Sequence, residues 1–225
     1  TLSLHDALPI CSVAAMEICD ENPATEKTQC KPHHPYGRSK LTAEKKVLRM
    51  VVQDGLPASI IRFSMVYGPG DWRDILKLTR MVKRGIIPKV GDRPKLTPLI
   101  HAEDAADGLI LAAEKGKPGE TYLITNKQSE PFDKIIGIIK EALGTKQINI
   151  YVPEKAALAI ASLVERTFSR IGKSPPVTKK NIESTLADRV FSIEKARKEL
   201  GFEPKIHPEL GIFETVQWYM EHGWV

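Results

Sequence analysis

Pro35-Tyr36-Gly37-Arg38-Ser39-Lys40 sets a tyrosine and a lysine four residues apart at the head of an amphipathic segment. On a helix, positions i and i+4 share a face, so a phenol and an ammonium placed there can act as a unit. A neighbouring ammonium favours the phenolate, which suits general acid–base chemistry at neutral pH. The spacing alone is better read as a solvated helix start, because both residue types are common on helices. The flanking sequence decides between the two.

Gly37 to Gln53 reads as a helix, with Leu41, Leu48, Val51 and Val52 near a helical period and Val47 widening the stripe. Gly55 and Pro57 stop it. Ala58–Phe63 is a short apolar run of the kind buried on both faces in a parallel sheet. Gly68, Pro69 and Gly70 then turn the chain. The pattern predicts further helices over Asp71–Gly85, Ala102–Lys115 (ended by Gly116), Pro131–Leu143 (capped by Gly144), Glu154–Ile171, Ile193–Leu200 and Pro208–Gly223. It predicts strands over Leu99–His101, Thr121–Thr125 and Gln147–Val152, a loop over Glu17–Pro35, and a link over Gly172–Thr178. Asp104, near the start of its helix, is electrostatically favourable there and reads as a cap rather than a catalytic group.

Composition bounds the function. Of 225 residues, 42% are hydrophobic and 27% charged, as in an ordinary globular protein of one large or two small domains. The net charge of +5 is spread along the chain with no basic block interleaved with aromatics, which argues against a nucleic-acid partner. No apolar run reaches the length of an integral membrane span. Three irregularly spaced cysteines, Cys11, Cys19 and Cys30, suit a reducing compartment, so a cytoplasmic location is expected. Cys30 with His33 and His34 matches no usual zinc spacing, and no metal site is expected.

Several further motifs keep register with the tyrosine–lysine pair. They are Cys11-Ser12-Val13-Ala14-Ala15-Met16, Ala58–Phe63 running into Val66-Tyr67-Gly68-Pro69-Gly70-Asp71, Leu99–Ala106, Glu120–Thr125 and Ala196–Pro204. In this order and spacing the set resembles the extended short-chain dehydrogenase/reductase superfamily, which includes NAD(P)-dependent epimerases, dehydratases and 3β-hydroxysteroid dehydrogenases. The resemblance covers Ser12 to Val225. It implies an α/β fold: part of a Rossmann-like, doubly wound parallel sheet whose first half is missing, interleaved with a small α/β substrate domain. It divides the chain into a C-terminal part of the NAD(P)-binding domain (11–66) and a mainly substrate-binding domain (67–225), with 121–125 returning to the main sheet.

The same resemblance implies Tyr36 as catalytic acid/base, Lys40 as its partner and a holder of the nicotinamide ribose, and Ser12 as the third catalytic member. It sets Phe63, Ser64 and Val66 against the nicotinamide. Many relatives carry proline directly after the arginine, where this chain has Phe63. The implied activity is hydride transfer to or from a secondary alcohol or ketone, with NAD or NADP as cofactor and a small molecule as substrate. A homodimer through the tyrosine-bearing helix is the implied assembly of the full-length parent.

Relatives acting on nucleotide-diphosphate sugars carry arginine where this chain has Thr97, and the stretch Pro153–Leu163, with Phe168, Ile171 and Ser174–Thr178, is apolar. The missing arginine lowers the sugar-nucleotide reading. The apolar stretch looks like the 3β-hydroxysteroid dehydrogenase-like branch, whose members take apolar alcohols or ketones, which implies a sterol-like or other apolar substrate. Equally, Leu158, Ile160 and Leu163 fit a cover for the lobe's own core, and a membrane-surface helix is a third, weaker reading. Arg73, Arg80, Lys83 and Arg189 stand as substitute phosphate contacts or as solvated surface. A nucleotide-sugar epimerase or dehydratase, and a non-catalytic cofactor-sensing protein on the same fold, are the competing readings.

No Gly-rich pyrophosphate turn occurs in the chain. Thr1–Ile10 instead matches one reading frame of a common sequencing adapter, so these ten residues are set apart from the fold. On that reading Cys11 is a junction residue replacing a serine. The chain is expected to be a fragment that by itself neither binds NAD(P) tightly nor turns over.

Overall fold

The structure, a computed structural model, describes residues 10–16, 21–32, 34–85, 88–90, 95–146, 150–170 and 189–225. Residues 1–9, His33, the 147–149 part of the predicted strand, Ile171 and the Gly172–Thr178 link lie outside them.

The central sheet is parallel, with strand order β1-β2-β7: β1 (Ile10–Ser12), β2 (Ile60–Phe63) and β7 (Thr121–Ile124). Ser12 stands opposite Phe63, and Phe63 opposite Ile124, so the three strands end together. All four residues of β2 are buried, as a run apolar on both sides requires. Helix α1 (Pro35–Asp54) covers one face, where Leu41, Val47 and Leu48 pack on Cys11, Ala15 and Ile60. Helices α3 (Ala102–Lys115) and α6 (Glu194–Leu200) cover the other, packing on Ile61, Phe63 and Ile124.

Beyond β2 the chain enters β3 (Met65–Tyr67), which pairs in parallel with β6 (Leu99–His101). A second core forms around Tyr67 and Leu99 beneath α2 (Asp74–Lys83), α4 (Phe132–Ala142) and α7 (Pro208–Glu221). Three small pairings complete the described secondary structure. β4 (Pro88–Val90) is parallel to β9 (Ile150–Val152), and β5 (Leu96–Thr97) is antiparallel to β8 (Glu130–Pro131). Ala24 bridges to Phe191. Helix α5 (Glu154–Arg170) follows β9 and exposes Ile160 and Leu163.

The loop before α1 runs along the outer edge of β7. Glu26 Oε1 accepts from the Leu123 N–H at 3.0 Å, taking a donor that an edge strand would otherwise leave open. Ala24 N donates to Val190 O at 2.8 Å, and Ser192 N donates to Ala24 O at 2.9 Å.

Gly116 ends α3 as expected, with φ −64°, outside the left-handed region. Glycine is required there by proximity: a Cβ would stand 2.3 Å from Ala112 O and 2.8 Å from Ser59 Oγ. Asp104 does not cap α3, because the His101 ring accepts from Glu103 N at 3.3 Å instead. Asp104 is buried and accepts from Lys205 N at 2.9 Å and Ile206 N at 3.0 Å, clamping the segment before α7.

Candidate active site

Ser12 closes β1 and caps the 3₁₀ turn Val13–Ala15, where its Oγ accepts from Ala14 N at 3.2 Å. That bond uses a lone pair and leaves the O–H hydrogen to donate. The hydroxyl therefore sits at the carboxyl end of a parallel strand, where ligands of open α/β sheets lie.

Helix α1 starts where His34 and Pro35 dictate. The His34 ring accepts from Tyr36 N at 3.4 Å, and Pro35 occupies the first turn, where a missing N–H costs nothing. Tyr36 is 50% exposed, and Lys40 Nζ stands 5.6 Å from the centre of its ring, within cation–π range. The next residue, Gly37, is buried against the turn that Ser12 caps. A Cβ at Gly37 would lie 2.3 Å from Ala14 O and 2.9 Å from the Pro32 Cβ. Glycine thus lets the backbone beside Tyr36 approach the backbone two residues beyond Ser12.

Phe63 is buried at the end of β2, opposite Ser12. Ser64 follows in the link to β3. Its N–H donates to Ile124 O at 3.3 Å, and its Oγ is buried with no hydrogen-bond partner among the described residues. An orphaned hydroxyl at the shared end of three parallel strands is the kind of group a bound ligand would satisfy. Val66, half-buried, lies opposite Ile100 in β3. The structure thus brings Ser12 beside Phe63 by strand register and Tyr36 beside Lys40 by helix pitch. It brings these two pairs toward each other through the Gly37–Ala14 approach.

Glu44 and Arg62 were not singled out in the sequence. Glu44 is buried on α1, and its carboxylate accepts from Arg62 Nε at 2.8 Å and Arg62 Nη2 at 2.7 Å. Burial alone would lower the pKa of Arg62, but its bonds and charge attraction to Glu44 more than offset that and raise it. The Cys11 thiol is pushed up to about 12, first by burial and then by the neighbouring Glu44 carboxylate. Burial also raises the Cys30 thiol, with Arg62 opposing. The signal was available: a lone glutamate inside the apolar stripe Leu41–Leu48, and a lone arginine of opposite sign inside the apolar run Ile60–Phe63.

Two shallow surface clefts, lined by residues such as Gly201 and Phe202, or Pro23 and Val190, contain none of these groups. Among the described residues, no cluster of three or more His, Cys, Asp or Glu could hold a metal ion, and no helix is long and apolar enough to cross a membrane.

Residues 8–125 match the model of the NAD dependent epimerase/dehydratase family. The chain is 31% identical over 210 residues to short-chain dehydrogenase/reductase family 42E member 1 of Mus musculus, a match covering 85% of this chain and 52% of that protein. It is 29% identical over 207 residues to sterol-4-alpha-carboxylate 3-dehydrogenase ERG26, decarboxylating, of Saccharomyces cerevisiae, covering 85% and 58%. The chain thus spans between half and three-fifths of the length of these two relatives. The crystal structure of gox2253 superposes with a TM-score of 0.81 at 25% identity, covering 98% of this chain and 68% of that one. Other solved proteins of like fold include complexes with NAD or NADPH.

Proposed function

This chain belongs to the NAD dependent epimerase/dehydratase family, and from that premise we propose that its parent is an NAD(P)-dependent oxidoreductase acting on a secondary alcohol or ketone. One observation carries the reading above the others. The helix bearing Tyr36 and Lys40 is docked through Gly37 onto the turn that Ser12 caps.

When bound, the nicotinamide supplies the two-electron acceptor or donor for hydride exchanged with the substrate carbon. Phe63, Ser64 and Val66 would flank it, and the buried Ser64 hydroxyl is the group best suited to accept a polar partner there. In the oxidation direction Tyr36 takes the hydroxyl proton as hydride leaves the carbinol carbon, and the carbonyl forms. In reduction the phenol returns that proton to the substrate oxygen. Ser12 donates its free hydrogen to the same oxygen. Lys40, over the Tyr36 ring, stabilises the phenolate while the proton is away.

An apolar substrate is supported by three features. They are the exposed Ile160 and Leu163 on α5, Thr97 rather than an arginine in β5, and the likeness to a sterol dehydrogenase. The Ser174–Thr178 part of the apolar stretch lies outside the described residues.

The test is Tyr36→Phe in the full-length parent. Turnover should fall by roughly 10²- to 10⁴-fold, the range of a lost general acid–base, with cofactor affinity little changed. A near-normal rate would remove the mechanism. Net NAD(P)H absorbance change on adding substrate separates a dehydrogenase from an epimerase, which returns its cofactor unchanged.

A further inference from the structure

On α1 the buried residues are Gly37 and Glu44. Seven residues apart, they lie on one helix face, two turns from each other. Tyr36, Lys40 and Glu44 follow at intervals of four, so all three climb the same flank. Gly37 fixes the helix where it meets Ala14. Glu44 fixes it about 12 Å farther along the axis from Tyr36, at 1.5 Å per residue.

The Glu44 anchor is an unusual choice for a face that otherwise packs through Leu41, Val47 and Leu48. Both charges are almost fully withdrawn from water, with Glu44 4% and Arg62 5% exposed. Among the described residues Arg62 Nη1 is buried with no hydrogen-bond partner, a cost that an apolar pair would not carry. Buried ion pairs commonly contribute less stability than apolar residues of the same size, but the two-point fork has strict geometry. What the pair supplies is therefore placement. Arg62 stands opposite Cys11 and directly precedes Phe63, while Cys11 directly precedes Ser12. One bidentate contact thus ties the Tyr36–Lys40 helix to β2, which is in turn paired with β1 at Cys11.

We infer that the Glu44–Arg62 pair is a positioning device. It sets the height and rotation of α1 so that the Tyr36 phenol and the Ser12 hydroxyl meet one substrate oxygen. The inference rests on the proposed acid–base role of Tyr36, but its geometric half can be read without it.

The test is the double variant E44L/R62M in the full-length parent, which removes both charges at once and leaves none buried alone. We expect a thermal midpoint equal to or above wild type. A shift of α1 by about 1 Å should lower kcat about 100-fold, with KM changed less than about threefold, because the interaction is realised in the transition state. A crystal structure of the variant should show Tyr36 displaced along the sheet relative to Phe63. Wild-type kcat overturns the inference, as does α1 in its original place. A kcat loss that merely follows a fall in thermal midpoint also overturns it, assigning the pair to stability. If the wild-type parent turns over neither secondary alcohols with NAD(P)⁺ nor ketones with NAD(P)H, the functional reading has failed, and the crystal structure alone decides whether the pair sets the helix.

Discussion

Gly37→Ala sets two physical effects against each other. Alanine in place of glycine within a helix ordinarily stabilises by about 1 kcal/mol. Here the new methyl carbon would stand 2.3 Å from Ala14 O, against the 3.4 Å at which ordinary contact begins, a shortfall of about 1.1 Å. The obstacle is a backbone oxygen in a 3₁₀ turn, not the end of a flexible side chain, and the Pro32 Cβ at 2.9 Å blocks a second direction. The first turn of α1 must therefore move outward by about 1 Å. Overpacking of this kind costs about 1–3 kcal/mol, so the variant should be less stable by up to about 2 kcal/mol despite the better helix former. The same displacement carries Tyr36 away from Ser12, and misplacement by about 1 Å can cost about 100-fold in turnover. Urea denaturation and steady-state kinetics on the full-length parent measure the two effects together. A Gly37→Ala protein that is more stable than wild type and fully active would refute the close-approach argument and reduce Gly37 to an ordinary helical residue.

Two further outcomes follow from the buried polar groups. The Cys11 thiol, ordinarily at 9.0, is pushed up to about 12 in the fold by burial and by Glu44, so the folded state holds a proton that the unfolded state releases. Its contribution is complete below pH 9.0 and is lost as pH climbs toward 12, at about 1.4 kcal/mol per pH unit. Tyr67 and Tyr219, also raised by burial, add to the loss at still higher pH. Urea midpoints measured on the alkaline side should fall, and Cys11→Ser should remove one thiol's share of that fall; an unchanged slope in the variant would refute the assignment. Asp104→Ala should destabilise by about 3 kcal/mol, because two backbone N–H groups lose a charged acceptor at once. Chemical denaturation measures the loss, and amide exchange at Lys205 and Ile206 should accelerate with it.

The legible parts of this chain are those whose cause is local. The β6 and α3 boundaries match the predicted Leu99–His101 and Ala102–Lys115, because a β-rich run meets a helical period there with no ambiguous residues between. The strands β3, β5 and β8 escaped because two or three residues carry no period. Pairing partners far along the chain make them strands. Asp104 was placed on the right helix but given a cap's role, since its two donors lie about a hundred residues away. At the site, the Tyr36–Lys40 pairing follows from helix pitch alone, whereas the placement of Ser12 came from resemblance. The Gly37–Ala14 approach has no signature in sequence, because a glycine near a helix start reads as tolerated rather than required. Glu44 and Arg62 were readable as two opposite charges in two buried stripes, had the stripes been compared with each other.

The loop that shields the β7 edge has a directional consequence. With Glu26 holding the outward N–H of Leu123, and Ala24 held by Val190 and Ser192, that flank of the sheet is partly occupied by the loop among the described residues. Among the described residues, the opposite flank, beside Ile10–Ser12, carries no further strand. Any segment, from this chain or another, that extends the sheet there must therefore be laid down immediately alongside the serine hydroxyl. Enlarging the sheet on that side and enclosing the Ser12 hydroxyl become one event.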